Sequence, residues 1–322
     1  MFLENLNKKW QTINNCDTVS GFKIMRISSS CVPELYIALD ENGFRCLVLF
    51  VSGEVKIKLK GSQKKNVSIQ YNKDAEAVVI RLCDSNFMEL FNDLVISLYN
   101  KVKAIVDPQI LSHELIGAFY KWVELFEPTY TKKLSQDQVK GLLGELFVLR
   151  NFLTDTSVEN IDEIMSAWQG PYENSNDFIL DSKNIEVKTK MESQSIIRIS
   201  SEHQLKKEFD KGLELAVVSV KLDLVKGESI YDLIVKIVQI LREKLGDLSI
   251  LYHALNQLGL TVESTIEYNN YRFLVSKISH YDCSKDNFPG LSISNIPKEI
   301  SKLRYNLRIN SLQEFLIQEN QY

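Results

Sequence analysis

The chain has 322 residues, of which 44% are hydrophobic and 25% are charged, the composition of an ordinary globular protein. This length predicts about two domains, each able to bury a core of its own. The net charge of −4 argues against a chain that binds nucleic acid through a general basic excess, so any such binding would need a local positive surface.

The first 83 or so residues predict a sheet. Apolar and β-branched residues recur in six short runs, and Asn42-Gly43 between two of them is a strong hairpin signal. The predicted strands span residues 21–28, 34–39, 44–51, 55–60, 67–71 and 77–82. We therefore expect an antiparallel sheet or open barrel that serves as a recognition or docking module.

Beyond the last of these strands, the apolar residues take a helical period. One helix is predicted around Phe87–Leu98, and a second around Leu115–Phe126, after Asp107-Pro108. The change of period predicts a β-rich domain over residues 1–108 and a second domain over residues 109–322.

A third helix is predicted to begin at Ser135, which opens a capping box, and to continue through residues 141–149, which are apolar nearly all round. Glu145 is the only charged side chain in that run, and an unpartnered carboxylate there would cost several kcal/mol. We expect Glu145 to face a metal ion, with a buried ion pair to a lysine or arginine as the alternative. Gly141 and Gly144 would let the helix approach the sheet closely.

The polar chemistry of the chain is concentrated in the stretch Asn176–Leu180 and its return, Ile185–Thr189. Both pieces predict strands, because the first ends in an apolar run and the second alternates apolar and polar residues. The polar residues 181–184 between them predict a turn of hairpin length.

A simple hairpin with Leu180 opposite Ile185 would place Asp177 opposite Lys188. Glu186 would then lie diagonally from Asp177 on the same side of the ribbon. Diagonal partners are roughly 7–8 Å apart at their bases, a gap that two carboxylates can close around one cation. The alternative is the solvated face of a half-buried sheet.

A predicted strand at 195–200 is followed at once by a predicted helix, in which Gln204 is either a cap or a site residue. Arg304 and Arg308 share a face of the last predicted strand with Asn306, where they would meet either a phosphate backbone or water. The remaining predicted elements are strands at 213–220, 271–281 and 303–309 and helices at 229–245 and 247–258.

Five widely spread cysteines and four histidines show no metal-ligand spacing, so neither a disulfide framework nor a zinc site is predicted. The longest apolar run of the first half, Cys46–Val51, is far shorter than the roughly 18 residues of a membrane span. The first ten residues lack the basic start and apolar core of a signal peptide. We therefore expect a cytoplasmic protein without a membrane partner.

The order of these elements resembles the core of the PD-(D/E)XK nuclease superfamily, in which a mixed sheet flanked by helices carries an aspartate and a Glu-x-Lys on neighbouring strands. The chain resembles more closely a bacterial family of PD-(D/E)XK motif proteins associated with restriction and anti-phage defence gene clusters. The residues that carry this resemblance are Gly141-Leu142-Leu143-Gly144-Glu145-Leu146, Trp168-x-Gly170-Pro171, Asp177-Phe178 and Glu186-Val187-Lys188-Thr189.

The resemblance implies an α+β fold, with an N-terminal antiparallel β-rich domain followed by a restriction-endonuclease-like α/β/α core around a mixed central sheet. It implies that Asp177 and Glu186 bind the metal, with the Val187 carbonyl as a third ligand. Glu145 would complete the metal site from its helix, directly or through water. Lys188 would orient or activate the attacking water, which makes it catalytic together with the three carboxylates.

The implied activity is that of a Mg²⁺-dependent DNA endonuclease of a restriction or anti-phage defence system, with Mn²⁺ as a substitute ion. The implied partners are DNA, other subunits of a defence gene cluster and a second copy of the chain, since two cuts in a duplex favour a dimer. One alternative is a catalytically inactive DNA-binding or assembly subunit with a nuclease-like fold. Another is an enzyme that acts on RNA or structured DNA. Asn176 departs from the motif, which has proline there.

Overall fold

The structure, a computed structural model, describes residues 3–15, 17–19, 21–51, 62–127 and 133–322. The predicted strand at 55–60 lies outside these residues. The chain forms two compact units, Met1–Pro128 and Thr129–Tyr322. None of the helices in the described ranges is long and apolar enough to cross a bilayer.

The described part of the first unit contains an antiparallel sheet and three α-helices. Its strands are β1 (Thr18–Val19), β2 (Phe22–Arg26), β3 (Leu35–Leu39), β4 (Arg45–Phe50), β5 (Ser62–Gln63), β6 (Val67–Asn72) and β7 (Ala77–Leu82), and its helices are α1 (Leu3–Thr12), α2 (Met88–Val102) and α3 (Pro108–Trp122). The strand order is β1-β2-β3-β4-β7-β6-β5. Gly43 has a φ of +80° in the β3–β4 hairpin, a conformation that glycine adopts without strain. The predicted antiparallel sheet is confirmed.

Helix α3 belongs to the first unit, so the two units divide at residue 128 rather than at the predicted boundary at 108. Pro108 occupies the first turn of α3, and the Asp107 side chain accepts hydrogen bonds from the first free backbone N–H groups. The Asn66 side chain donates a 2.7 Å hydrogen bond to the Phe126 carbonyl, which ties the end of this region to the sheet. A proline at this position starts a helix and says nothing about where a domain ends.

The second unit is built on a mixed sheet. Its strands are β8 (Phe178–Ile179), β9 (Lys183–Met191), β10 (Ile196–Ile199), β11 (Gly212–Leu222), β12 (Phe273–Asp282), β13 (Tyr305–Arg308) and β14 (Leu316–Gln321), and its helices are α4 (Gln136–Asp155), α5 (Ile161–Ala167), α6 (Ile230–Glu243) and α7 (Leu248–Gln257). Five strands form the central sheet in the order β14-β12-β11-β9-β8, in which β9 and β11 run parallel and the other pairs antiparallel. Strands β10 and β13 form a separate antiparallel pair, the β10–β13 ribbon. The predicted α+β class with a mixed central sheet is confirmed.

The β10–β13 ribbon covers one face of the central sheet. Ile197, Ile199 and Leu307 point inward from the ribbon into one buried cluster with Leu215 and Val217 of β11. The other face of the sheet is approached by α4, which packs on β9 and α6. Strand β11 is therefore buried from both sides, which explains its long apolar run.

The helix predicted after residue 200 is wrong, because residues 201–211 form turns and irregular structure. The Gln204 side chain accepts a 2.8 Å hydrogen bond from the backbone N–H of Ser200, so Gln204 caps the end of β10. The pattern of a capping box is present, but no apolar period follows it, and Phe209 is 94% exposed. Helices α1 and α5 and strands β1, β5 and β14 were not predicted.

Helix α4 approaches the sheet at one of its two glycines. A Cβ on Gly144 would overlap the Thr189 hydroxyl on β9, whereas a Cβ on Gly141 would meet nothing within 4 Å. Thr189 Oγ1 is buried and has no hydrogen-bond partner among the described residues. The predicted close approach is therefore confirmed at Gly144 only.

This difference predicts opposite effects for two alanine substitutions on one helix. Gly144→Ala should lower the free energy of unfolding by about 1–3 kcal/mol, because the added methyl group overpacks the contact with β9. Gly141→Ala should raise it by about 0.5–1 kcal/mol, because alanine favours helix and the space is open. Urea denaturation of both variants measures the difference, and equal effects would contradict the packing described here.

Candidate functional site

The hairpin that carries the polar motif is tighter than its sequence predicts. Phe178 pairs with Ile185, and the Leu180 N–H donates a 3.0 Å hydrogen bond to the Lys183 carbonyl. The turn is therefore the two-residue loop 181–182, not a four-residue one. The predicted register, with Leu180 opposite Ile185, is wrong by two residues.

Continuing the observed register by one pair places Asp177 opposite Glu186, not opposite Lys188. A shift by an even number of residues leaves every side chain on its predicted face of the ribbon. Asp177, Glu186 and Lys188 therefore still share one side, as the alternation in the sequence indicates.

Glu186 is the most deeply buried member of the motif, with 1% of its surface exposed. Its Oε1 lies 2.5 Å from Lys188 Nζ, and its Oε2 lies 3.4 Å from Asn176 Nδ2. Asn176 also donates a 2.7 Å hydrogen bond to the Gln204 carbonyl. Asn176 thus has a contact that proline could not make, which the sequence did not reveal.

Asp177 is held by the backbone on both sides. Its Oδ2 accepts a 2.7 Å hydrogen bond from the Val187 N–H. Its carbonyl accepts hydrogen bonds from the N–H groups of Gln169, at 2.7 Å, and Gly170, at 3.2 Å. These bonds fix the carboxylate relative to the loop that begins at Trp168.

Glu145 reaches the same place from α4. Its Oε2 accepts a 3.0 Å hydrogen bond from the Trp168 indole N–H. A Cβ on Gly170 would overlap that oxygen and would lie 3.3 Å from Asp177 Oδ1. The two carboxylates therefore border one space, which Gly170 keeps open. In the sequence, Trp168-x-Gly170-Pro171 belongs to the motifs that carry the family resemblance, but its place beside Glu145 was not predicted.

The four groups perturb one another strongly. Burial raises the pKa of Glu145 well above its ordinary value and the pKa of Glu186 to about 8. The negative charge of Asp177 is the second cause at both residues. Burial also raises the pKa of Asp177, although Lys188 and the Val187 N–H oppose it. Burial alone would lower the pKa of Lys188, but the Glu186, Asp177 and Glu145 carboxylates together outweigh it and the pKa is raised. One ammonium group thus faces three carboxylates, and the site is short of positive charge.

Within the described ranges, no group of three or more His, Cys, Asp and Glu side chains is arranged as a ready metal site. Glu186 is turned toward Lys188 and Asn176, which leaves Asp177 and Glu145 around the space beside Gly170. The donors are oxygen atoms, which hard cations prefer. A divalent cation would also supply the positive charge that the cluster lacks. The residues present therefore fit such an ion, with Glu186 as a further ligand once it leaves Lys188.

The shifted pKa of Glu145 predicts a stability that depends on pH. The folded chain keeps the Glu145 proton to higher pH than the unfolded chain, so the free energy of unfolding falls as pH rises above the ordinary carboxyl range. Glu145→Gln keeps an acceptor for Trp168 and should stabilise the metal-free chain by about 1–3 kcal/mol at pH near 8, and by less near pH 5.

Urea denaturation in the presence of a chelator measures this effect. Asp155→Asn is the matched control, because Asp155 is an exposed carboxylate on the same helix and its loss should change stability by less than about 0.5 kcal/mol. A Glu145→Gln variant that is less stable than the wild type at the higher pH would contradict the view that the site lacks positive charge.

Comparison with known proteins identifies the family of the chain. The family described as "Putative PD-(D/E)XK family member, (DUF4420)" matches residues 6–310. No curated protein and no solved structure matches the chain. The family match spans nearly the whole chain, and the mixed sheet with Asp177 directly before β8 and Glu186 on the neighbouring β9 agrees with it. The chain belongs to this PD-(D/E)XK family.

Proposed function

We propose that the chain is a metal-dependent DNA endonuclease that hydrolyses phosphodiester bonds, with Mg²⁺ as its ion and Mn²⁺ as a substitute. The observation that carries the proposal is the cluster of three carboxylates with raised pKa around one lysine, in a chain of the PD-(D/E)XK family. Phosphodiester cleavage requires an activated water and positive charge at the phosphate. The cluster has the residue types for both.

Asp177, Glu186 and Glu145 would hold the ion. When bound, a divalent cation makes water a nucleophile near neutral pH and stabilises charge on the phosphate. Asp177 is already oriented by the Val187 N–H, and Glu145 by the Trp168 indole. These two bonds hold the carboxylates in place before substrate arrives, so little reorganisation is needed during the reaction.

Lys188 would act as a positive charge, not as a base. Its raised pKa means that Nζ keeps its proton at neutral pH. The ammonium group lies beside Glu186, and it would be free to donate to the attacking water or to a phosphate oxygen once Glu186 turns to the ion. We assign it to orienting the water and stabilising the charge that develops on the phosphate.

The wider role is inferred from the family resemblance. We propose that the protein acts in a restriction or anti-phage defence system, with partner subunits, and that two copies cut the two strands of a duplex. The first unit, with its antiparallel sheet, would serve recognition or docking.

One observation favours a second candidate, a DNA-binding or assembly subunit without catalysis. Glu186 is occupied by an ion pair with Lys188, so the three carboxylates do not form a ready metal site. A chain that has lost catalysis would keep the ion pair between Glu186 and Lys188 at all times. Metal binding therefore separates the two candidates.

Substitutions at the motif should abolish cleavage. Asp177→Ala and Lys188→Ala should each reduce the rate of DNA cleavage with Mg²⁺ by roughly 100-fold or more, because each removes charge from the reacting centre. Lys221→Ala, which removes an exposed lysine from β11, is the control for loss of charge and should keep full activity. Equal rates in the wild type and both motif variants would refute the assignment.

Metal binding should strengthen as pH rises. Because the three carboxylates hold protons above their ordinary pKa, a cation competes with protons, and Mn²⁺ affinity should rise about tenfold or more between roughly pH 6 and pH 8. Gly170→Ala should weaken it, because the added methyl group fills the space between Glu145 and Asp177.

Calorimetric titration of the wild type, Gly170→Ala, Asp177→Ala and Asp181→Asn measures this binding. Asp181 is an exposed carboxylate in the hairpin turn, so its substitution is the control. Absence of Mn²⁺ binding that depends on Asp177 would favour the non-catalytic candidate.

A further inference from the structure

The outer face of the β10–β13 ribbon carries a cluster of arginines that the site does not use. Arg198 lies opposite Asn306, and Ile196 lies opposite Arg308. Continuing the register by one pair beyond Ile199 and Tyr305 places Ser200 opposite Arg304. Arg198 is therefore diagonal to both Arg304 and Arg308, at roughly 7–8 Å between side-chain bases.

These arginines are exposed and unneutralised. Arg198, Arg304 and Arg308 all point to solvent, whereas the alternate residues of the ribbon face the core. None of the three has an ion pair or a side-chain hydrogen bond in the part of the chain that the structure describes. The six positions of this outer face contain no aspartate or glutamate. A chain of net charge −4 thus keeps one small surface that is purely positive.

The ribbon is connected to the carboxylate cluster by a chain of hydrogen bonds. Asn176 donates hydrogen bonds to Glu186 and to the Gln204 carbonyl, and the Gln204 side chain accepts from Ser200 at the end of β10. The ribbon also covers the face of the sheet on which Glu186 and Lys188 lie, because these residues are in register with Leu215 and Val217 of β11. The end of β10 therefore lies near the carboxylate cluster.

We propose that this arginine face binds duplex DNA, an inference that rests on the proposed function for its choice of nucleic acid. Charge complementarity supports a polyanion such as DNA as the ligand. Arginine contacts phosphates and guanine edges, and asparagine contacts adenine edges. Unpaired arginines on a surface otherwise free of acidic groups have no structural partner to stabilise.

The shape of the ribbon supports B-form DNA over RNA. A two-stranded β-ribbon fits the major groove of B-DNA, which is about 12 Å wide. The major groove of A-form RNA is deep and narrow, and side chains cannot read it. The ribbon is two strands wide, and its exposed row of Arg198, Asn306, Arg304 and Arg308 would face the groove or its phosphates.

Binding measured without cleavage tests this surface. The wild-type chain and the double variant Arg198→Ala/Arg308→Ala would be titrated, in a chelator, with a labelled DNA duplex a few helical turns long. We expect the double variant to bind about tenfold or more weakly, with a salt slope reduced by about 2, one for each lost phosphate contact. Arg198→Lys/Arg308→Lys should restore the salt slope, because it restores the charges.

Lys221→Ala/Lys226→Ala is the matched control, because it removes two exposed charges away from the ribbon and should leave binding unchanged. The arginines point away from the core, so thermal melting should show an intact fold in every variant. Unchanged DNA affinity in the arginine variant would overturn the proposal. Equal, arginine-dependent binding of an RNA duplex of the same sequence would overturn the choice of DNA.

The test is independent of catalysis. Arginine-dependent binding of DNA by a chain that shows no cleavage and no Mn²⁺ binding through Asp177 would refute the nuclease proposal and support this surface. Cleavage by the wild type together with undiminished binding by the arginine variant would support the nuclease and refute the surface.

Discussion

The candidate site depends on packing that holds three carboxylates together at one edge of the sheet, against their mutual repulsion and beside a single lysine. Burial raises the pKa values of Glu145, Asp177 and Glu186, and the charge of Asp177 raises those of Glu145 and Glu186 further, so the fold works against electrostatics at this place. Such a cost persists only if the surrounding packing enforces it. The repulsion is relieved by protons or by a cation, and this links the fold to the proposed metal chemistry.

Several contacts enforce the cluster, and each comes from a different part of the unit. Gly144 lets α4 sit against Thr189, which brings Glu145 to the sheet edge. The Trp168 indole then holds Glu145, and Gly170 leaves room beside it. These residues have no chemistry of their own in the reaction. They act by position, and the motifs that carry the family resemblance include all three of them without showing what they contact.

The carboxylate cluster and the arginine face differ in burial and in the sign of their charge. The carboxylates are buried together, and their protonation responds to the surroundings. The arginines Arg198, Arg304 and Arg308 are exposed, and no acidic residue shares their face. Asn176 and Gln204 connect the two places through hydrogen bonds. A negatively charged polymer on the ribbon and a cation in the cluster would together balance both surfaces.

The sequence by itself determined the strands and helices whose periodicity is strong, because burial on one face leaves a repeating pattern. It also determined that Asp177, Glu186 and Lys188 share a side, since alternation in a strand survives an error of two residues in register. It failed at residues 201–211, where a local capping pattern has no apolar period to support it. It also placed a boundary at Pro108, where a proline only begins a helix.

Tertiary structure alone decided which residues meet across the chain. That Glu145 lies beside Asp177, that Gly170 keeps a space between them and that Asn176 links Glu186 to Gln204 are contacts between segments far apart in sequence. No local pattern encodes them, because they arise only when α4, the loop at Trp168 and the β8–β9 hairpin pack together. The sequence determined which chemical groups were available, and the packing of the second unit decided their partners.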